Sequence, residues 1–346
     1  GIGADRPTMR AVCAQVRIPG DSDIAIERDP LARLVRVPDL AMTAIRDGLL
    51  RGPVLVSVPR VGDLVSPSCP RCRTPVRCFS CGGPVIGRRT ESGVDLHCTW
   101  CGSHLPAWRC PECGSTEVRS GIVGATTTAA ELGRAFPDVP VVDSSGNHVR
   151  ESVDSTPRLV VATPGAEPAP ESGYACVVIL DAVSSLSRPG LATVEQTVDR
   201  WMTILSLVRS VRDGGRAVVV GPSENAALQA MVRNDPIGWA TREFADRREA
   251  RFPPAVACGI VDGNPKAVAS AAQRLREWFG ADLEVLGPTP QQRRAGESER
   301  DQVIVRPSGT MSLAELSQKL FRLRSKHTMD HEPGSLRVVI DPANLL

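Results

Sequence analysis

The chain has 346 residues, with 41 Lys or Arg against 39 Asp or Glu and a formal charge of +2. That length holds two or three domains with cores of their own, and the ordinary apolar content marks a soluble globular protein. No apolar run approaches the ~18 residues of a membrane span, so the expected compartment is the cytoplasm and no membrane partner is expected.

The opening Gly1-Ile2-Gly3 lacks an initiator methionine, which suggests a fragment or a processed chain. After an extended, charged opening, Pro38–Leu50 reads as a helix with Leu40, Ile45 and Leu49 on one face, and Pro53–Val58 as a buried strand. Eight cysteines then form four Cys-x-x-Cys pairs: Cys69/Cys72, Cys78/Cys81, Cys98/Cys101 and Cys110/Cys113. Each pair offers two thiolates at one knuckle, and two knuckles complete a tetrahedron around Zn²⁺. Two zinc ions per chain are therefore expected, in closed sites that leave no open position for catalysis. Each would contribute roughly 10–16 kcal/mol of folding energy. Reduced thiols, disulfides or a redox centre are the competing readings.

Sixteen residues bridge the inner two pairs, a zinc-ribbon spacing, so a nested arrangement is expected. Cys69, Cys72, Cys110 and Cys113 would hold one ion, and Cys78, Cys81, Cys98 and Cys101 the other. Sequential pairing is the alternative. Cys13, Cys176 and Cys258 read as small core residues. Two loaded sites would bring the total charge to about −2, so bulk charge argues little for nucleic acid. Locally, Arg71, Arg73, Arg77, Arg88, Arg89, Arg109 and Arg119 outnumber Glu91, Asp95, Glu112 and Glu117.

Beyond the cysteines, strands at Val139–Val142, Arg158–Ala162, Cys176–Leu180 and Ala217–Val220 alternate with helices at Thr127–Phe136, Val194–Val211 and Asn225–Val232. Such alternation predicts a mainly parallel sheet. The segment Gly165–Gly173 reads as a surface loop. The pattern restarts near Phe252-Pro253-Pro254: strand Ala255–Val261, helix Lys266–Phe279, strands Leu283–Leu286 and Gln302–Val305, helix Leu313–Arg324, strand Leu336–Ile340. This β-α-β-β-α-β order is the ferredoxin-like split motif, with Gln291–Arg300 as its hairpin loop.

A phosphate loop requires Gly-x-x-x-x-Gly-Lys-Ser/Thr, and no Gly-Lys pair occurs in the chain. Asp181, after the strand VVIL, stands where a Mg²⁺ ligand would sit, but a lone Asp there is more simply a turn or cap residue. The five histidines have no motif partners. His97 and His104 flank the third knuckle and read as solvated surface residues.

With CPRC, CFSC, CTWC and CPEC, then GSTEV, ELGRAFPDVPVVDSS, ADRREARFPPAVACGIV, EVLGPTP and LRVVIDPANL in this order, the chain resembles the C-terminal half of the PriA (primosomal protein N′) family of replication-restart proteins. The resemblance implies an α/β fold: a degenerate RecA-like second helicase lobe (1–68 and 117–250) with an inserted two-zinc module (69–116), then a C-terminal α+β domain (251–346). It implies binding of DNA at stalled forks and single/double-strand junctions, work with primosome components and the replicative helicase, and docking of single-strand-binding protein on Arg322, Arg324, Lys326 and His327. A cytoplasmic, nucleoid-associated location goes with it.

The motor motifs of the family depart here to Gly124-Ala125-Thr126, Ala162-Thr163-Pro164-Gly165-Ala166-Glu167, and Ser206-Leu207-Val208-Arg209-Ser210-Val211-Arg212. A catalytically silent, actinobacterial-type member is expected, without the family's first lobe and fork-end-binding domain. The DNA-contact candidates are Trp100 and Trp108 beside Arg71, Arg73 and Arg109; the competing reading packs both indoles between the knuckles. The functional alternatives are an active ATP-dependent helicase once joined to an N-terminal half, and a zinc-ribbon module that binds proteins only.

Overall fold

Apolar runs such as Val54–Ser57, Leu159–Ala162 and Cys176–Ile179 carry bulky side chains toward both sides of an extended chain, so they require cover on both faces. In the computed structural model they form such a sheet. It describes residues 5, 7–8, 12–60, 64–65, 67–72, 74–90, 93–98, 103–119, 123–186, 190–291, 298–343 and 345. The chain divides into two units, residues 1–189 with 193–239, and residues 190–192 with 240–346.

In the first unit the strands are β1 (Gln15–Arg17), β2 (Val54–Ser57), β3 (Leu64–Val65), β4 (Val85–Thr90), β5 (Gly93–Cys98), β6 (Val141–Ser144), β7 (Ser152–Val153), β8 (Leu159–Ala162), β9 (Ala169–Pro170), β10 (Cys176–Ile179) and β11 (Arg216–Val219). Six of them build an all-parallel sheet in the order β1-β11-β10-β2-β8-β6. Side chains alternate between its faces. Leu55, Val160, Val177 and Val219 meet Trp201, Ile204 and Leu205 of the helix Thr193–Ser206. Val54, Val56, Val161 and Val178 meet Ile45 and Leu49 of the helix Asp39–Leu49, and Leu132 of the helix Ala125–Ala135.

Three elements differ from expectation. The opening is not simply extended: β1 adds an edge strand to β11, and Asp23–Arg28 is a helix capped by Ser22, whose hydroxyl accepts from Ala25. The helix expected to reach Val211 stops at Ser206, because the backbone of Tyr174 recruits the next residues: its amide donates to Leu207 (2.8 Å) and its carbonyl accepts from Arg209 (3.0 Å). The loop Gly165–Gly173 contains β9, which pairs with β7.

Inserted after β2 lies a small unit in which β3, β4 and β5 form an antiparallel sheet. Its core holds Val76, Val85, Leu96, Leu105 and Trp108 together with cysteines.

The second unit has β12 (Gly259–Gly263), β13 (Leu283–Pro290), β14 (Asp301–Pro307) and β15 (Leu336–Ile340), antiparallel in the order β13-β14-β12-β15. The helices Pro265–Phe279 and Leu313–Met329 lay Val268, Ala271, Leu275, Leu316, Leu320 and Leu323 on this sheet. Asn264 caps the first, and Ser312 with Glu315 forms a capping box on the second. β12 begins four residues later than the sequence suggests, because the Phe252 carbonyl accepts from Ala255 and Val256 and holds that stretch in turns. Gly259 then passes under Leu320, where a Cβ would meet Leu320 Cδ1 at 2.3 Å. Most of the loop Gln291–Arg300, residues 292–297, lies outside the described residues.

Candidate metal centres and nucleic-acid interface

The first cysteine of every pair makes the same backbone hydrogen bond. The amide of the first cysteine donates to the carbonyl five residues on: Cys69 to Thr74 (2.9 Å), Cys78 to Gly83 (3.0 Å), Cys98 to Ser103 (2.9 Å) and Cys110 to Ser115 (2.8 Å). At two of the turns, Gly82 (φ 70°) and Gly114 (φ 72°) take the left-handed step that an ordinary side chain resists. This turn is what converts a Cys-x-x-Cys spacing into two sulfurs aimed at one point.

Cys69, Cys72, Cys110 and Cys113 converge, their sulfurs all within 4.8 Å of one another. Cys69 Sγ lies 3.4 Å from Cys113 Sγ, and Cys72 Sγ lies 3.4 Å from Cys110 Sγ and 3.6 Å from Cys113 Sγ. A disulfide needs about 2.05 Å, whereas four thiolates at about 2.3 Å from one ion stand roughly 3.8 Å apart. The set fits a thiophilic ion and not a pair of disulfides. Hydrogen bonds from the hydroxyl and then the amide of Thr74 lower the Cys72 thiol to about 6, whereas at Cys113 the lowering by the Ser115 amide is outweighed by the neighbouring sulfurs, which push it up to about 12. Cys78, Cys81 and Cys98 form the second group, with Cys81 Sγ 3.4 Å from Cys98 Sγ. Cys101 lies outside the described residues. The structure thus brings the first pair to the fourth, and the second pair to Cys98 of the third.

His97 and His104 join neither group. They converge with Asp95 instead, so they are not independent solvated residues. Hydrogen bonding by His97, with His104 adding to it, holds the Asp95 carboxyl below its ordinary value. Alternation along β5 was the signal available in the sequence, but the bridge that brings His104 opposite His97 was not legible there.

The expectation for Trp108 is corrected. Its indole is only 4% exposed, packed in the core of the cysteine unit, and presents no face to a base. Trp100 and Arg73 lie outside the described residues. Arg71 is exposed, and Arg109 donates to the carbonyl of Gly114 at 3.2 Å. An aromatic that the sequence reading passed over does stand out: Phe79, between Cys78 and Cys81, is 65% exposed beside exposed Arg77. Along one side of this unit runs a cleft of about 610 Å³ lined by Arg33, Arg36, Arg77, Arg119, Asp181 and Glu224. It lies at the carboxyl ends of β10 and β11, where open α/β sheets place their ligands. Asp181 itself turns the chain after β10, with φ at 55°, and its carboxylate accepts from Ser184 Oγ at 2.7 Å.

Residues 248–343 match the family model described as the primosomal protein N C-terminal domain. A protein of Mycobacterium leprae named probable replication restart protein PriA is 42% identical over 93% of this chain, and one of the same name from Mycobacterium tuberculosis (strain H37Rv) is 38% identical over 99%. The chain belongs to the PriA family. It spans about half the length of these PriA relatives, 48% and 54%.

In this PriA-family chain, the segments that stand where motor motifs are expected have ordinary structural work. Gly124 is the residue before the helix Ala125–Ala135, and Ala162 ends β8. Arg209 is tied on three sides, its Nε to the carbonyls of Ser172 and Gly173 (both 3.2 Å) and its Nη1 to that of Arg51 (2.9 Å). The C-terminal basic patch is also partly engaged. His327 is 8% exposed against Glu332 and Gly334 (both 3.1 Å), so it drops out of any docking surface. Lys326 pairs with Asp330 at 2.9 Å, and Arg322 covers the Trp278 ring at 4.9 Å. Among the described residues no helix is long and apolar enough to cross a membrane.

Proposed function

We propose that this chain is a DNA-binding scaffold for replication restart, held together by two zinc ions and without a motor of its own. The observation that carries the proposal is the pair of converged cysteine groups, inserted in a parallel α/β layer of a chain 37–42% identical to relatives named for replication restart. One ion belongs to Cys69, Cys72, Cys110 and Cys113, the other to Cys78, Cys81, Cys98 and Cys101. The parallel layer acts as a degenerate RecA-like lobe. Residues 251–346 form a ferredoxin-like domain, a reading that the strand order β13-β14-β12-β15 favours.

Stalled forks at the nucleoid, primosome components and the replicative helicase are the partners this role requires. DNA contact falls to Phe79 with Arg71, Arg77 and Arg109 on the knuckles; Trp100 and Arg73 retain the role inferred from their positions. Stacking on an exposed ring tolerates any base, as a fork binder needs. The reading that this chain carries no motor of its own rests on the three carbonyls that occupy Arg209.

Fluorescence anisotropy of the zinc-loaded chain on a labelled three-way fork and on linear duplex, across a salt series, tests this. Fork-preferring binding that weakens with salt is expected, as phosphate contacts demand. Absent binding points to the second reading, a zinc module that contacts proteins only, which the near-neutral formal charge of +2 favours.

A further inference from the structure

On β5 the side chains alternate in direction, so Asp95 and His97 share one face while Leu96 and Cys98 share the other. Burial follows that division: Leu96 and Cys98 are 4% and 1% exposed, whereas Asp95 and His97 are half-exposed. The segment after the third knuckle folds back beside β5, with Leu105 donating to the Leu96 carbonyl at 2.9 Å and His104 bridged to His97. This sets His104 on the same face as Asp95 and His97. Asp95 Oδ2 is 2.7 Å from His97 Nε2, and Asp95 Oδ1 is 2.5 Å from His104 Nε2, with the two imidazoles centred 5.0 Å apart.

We propose that Asp95, His97 and His104 form a third divalent-metal site, separate from the two thiolate sets and of the two-histidine, one-carboxylate class. The ligand atoms lie within 4.8 Å of one another, and bonds of about 2.0–2.2 Å to nitrogen and oxygen require only a small spreading of the trio. Nitrogen and carboxylate donors suit a borderline ion such as Zn²⁺, Co²⁺ or Ni²⁺. Three protein ligands on an exposed face leave a coordination position for water, unlike a closed four-thiolate set. The third ion therefore binds more weakly than the other two and exchanges readily. It fastens the return segment at His104 to β5, and the strand's opposite face carries Cys98 inward to the second thiolate group.

The experiment uses the full chain with its thiolate sites loaded with Zn²⁺ and free metal removed, titrated with Co²⁺ by calorimetry and visible absorption. One further equivalent is expected, with weak cobalt bands and no sulfur-to-cobalt charge transfer. His104→Gln and, separately, Asp95→Asn should each lose that equivalent while the two zinc ions and the far-UV spectrum stay unchanged. No third equivalent in the wild-type chain overturns the proposal. So does a third equivalent that persists in both variants, or one that carries the charge-transfer band of a thiolate ligand.

Discussion

Two thiols of this chain meet opposite environments. Cys176, fully buried beneath the helix Asp39–Leu49, is pushed up to about 12 by burial, whereas Cys72, beside Thr74, is drawn down to about 6. Alkylation at pH 8 of the metal-loaded chain, read by peptide mass spectrometry, should therefore leave Cys176 unmodified until the chain is unfolded, because only the thiolate attacks. Phe79 and Trp108 form a second contrast. Trp108→Ala should cost about 3–5 kcal/mol by opening the core of the cysteine unit, measured as earlier release of metal in denaturant. Phe79→Ala should leave stability within about 0.5 kcal/mol yet weaken fork binding by the ~1–3 kcal/mol of a lost stack. Equal effects of both variants on stability would remove Phe79 from the interface.

The elements differ in how openly the sequence declares them. LVVA and CVVI announce buried parallel strands because each apolar side chain has a core to enter, and the capping box at Ser312 and Glu315 marks its helix start within a residue. β1 is hidden, since Gln15 and Arg17 are exposed and only Val16 is apolar; its partner β11, two hundred residues on, makes it a strand. The Asp95 face was invisible for the same reason, as a cross-strand bridge and not a motif assembles it. In the second unit, Glu284 is held below the ordinary carboxylate value by Arg306, aided by Arg251, and Glu332 by Arg274, aided by His327. A depressed folded value adds stability above the unfolded carboxylate range of about 4.3, and that stability is lost as pH falls through the lowered folded value. The melting temperature should fall with acid in that window, and Glu332→Gln should flatten the dependence.

At the scale of the whole chain, the cysteine unit is an insertion and the parallel layer has its own apolar clusters on both faces. Chelation should therefore open residues 67–119 to protease while the segments of the layer stay protected, since each ion supplies roughly 10–16 kcal/mol to its own site. Protection of 67–119 after chelation would show that thiols and side chains alone suffice. The nested pairing also fixes an order in time. A chain made from its N-terminus exposes Cys98 twelve residues before Cys110, so under the proposed two-ion reading the inner ion would be captured while Cys69 and Cys72 still wait. β2 waits longer, because its partners β8 and β10 are synthesised a hundred residues later. On the ribosome the insertion is finished while the sheet that hosts it is still two unpaired strands, β1 and β2.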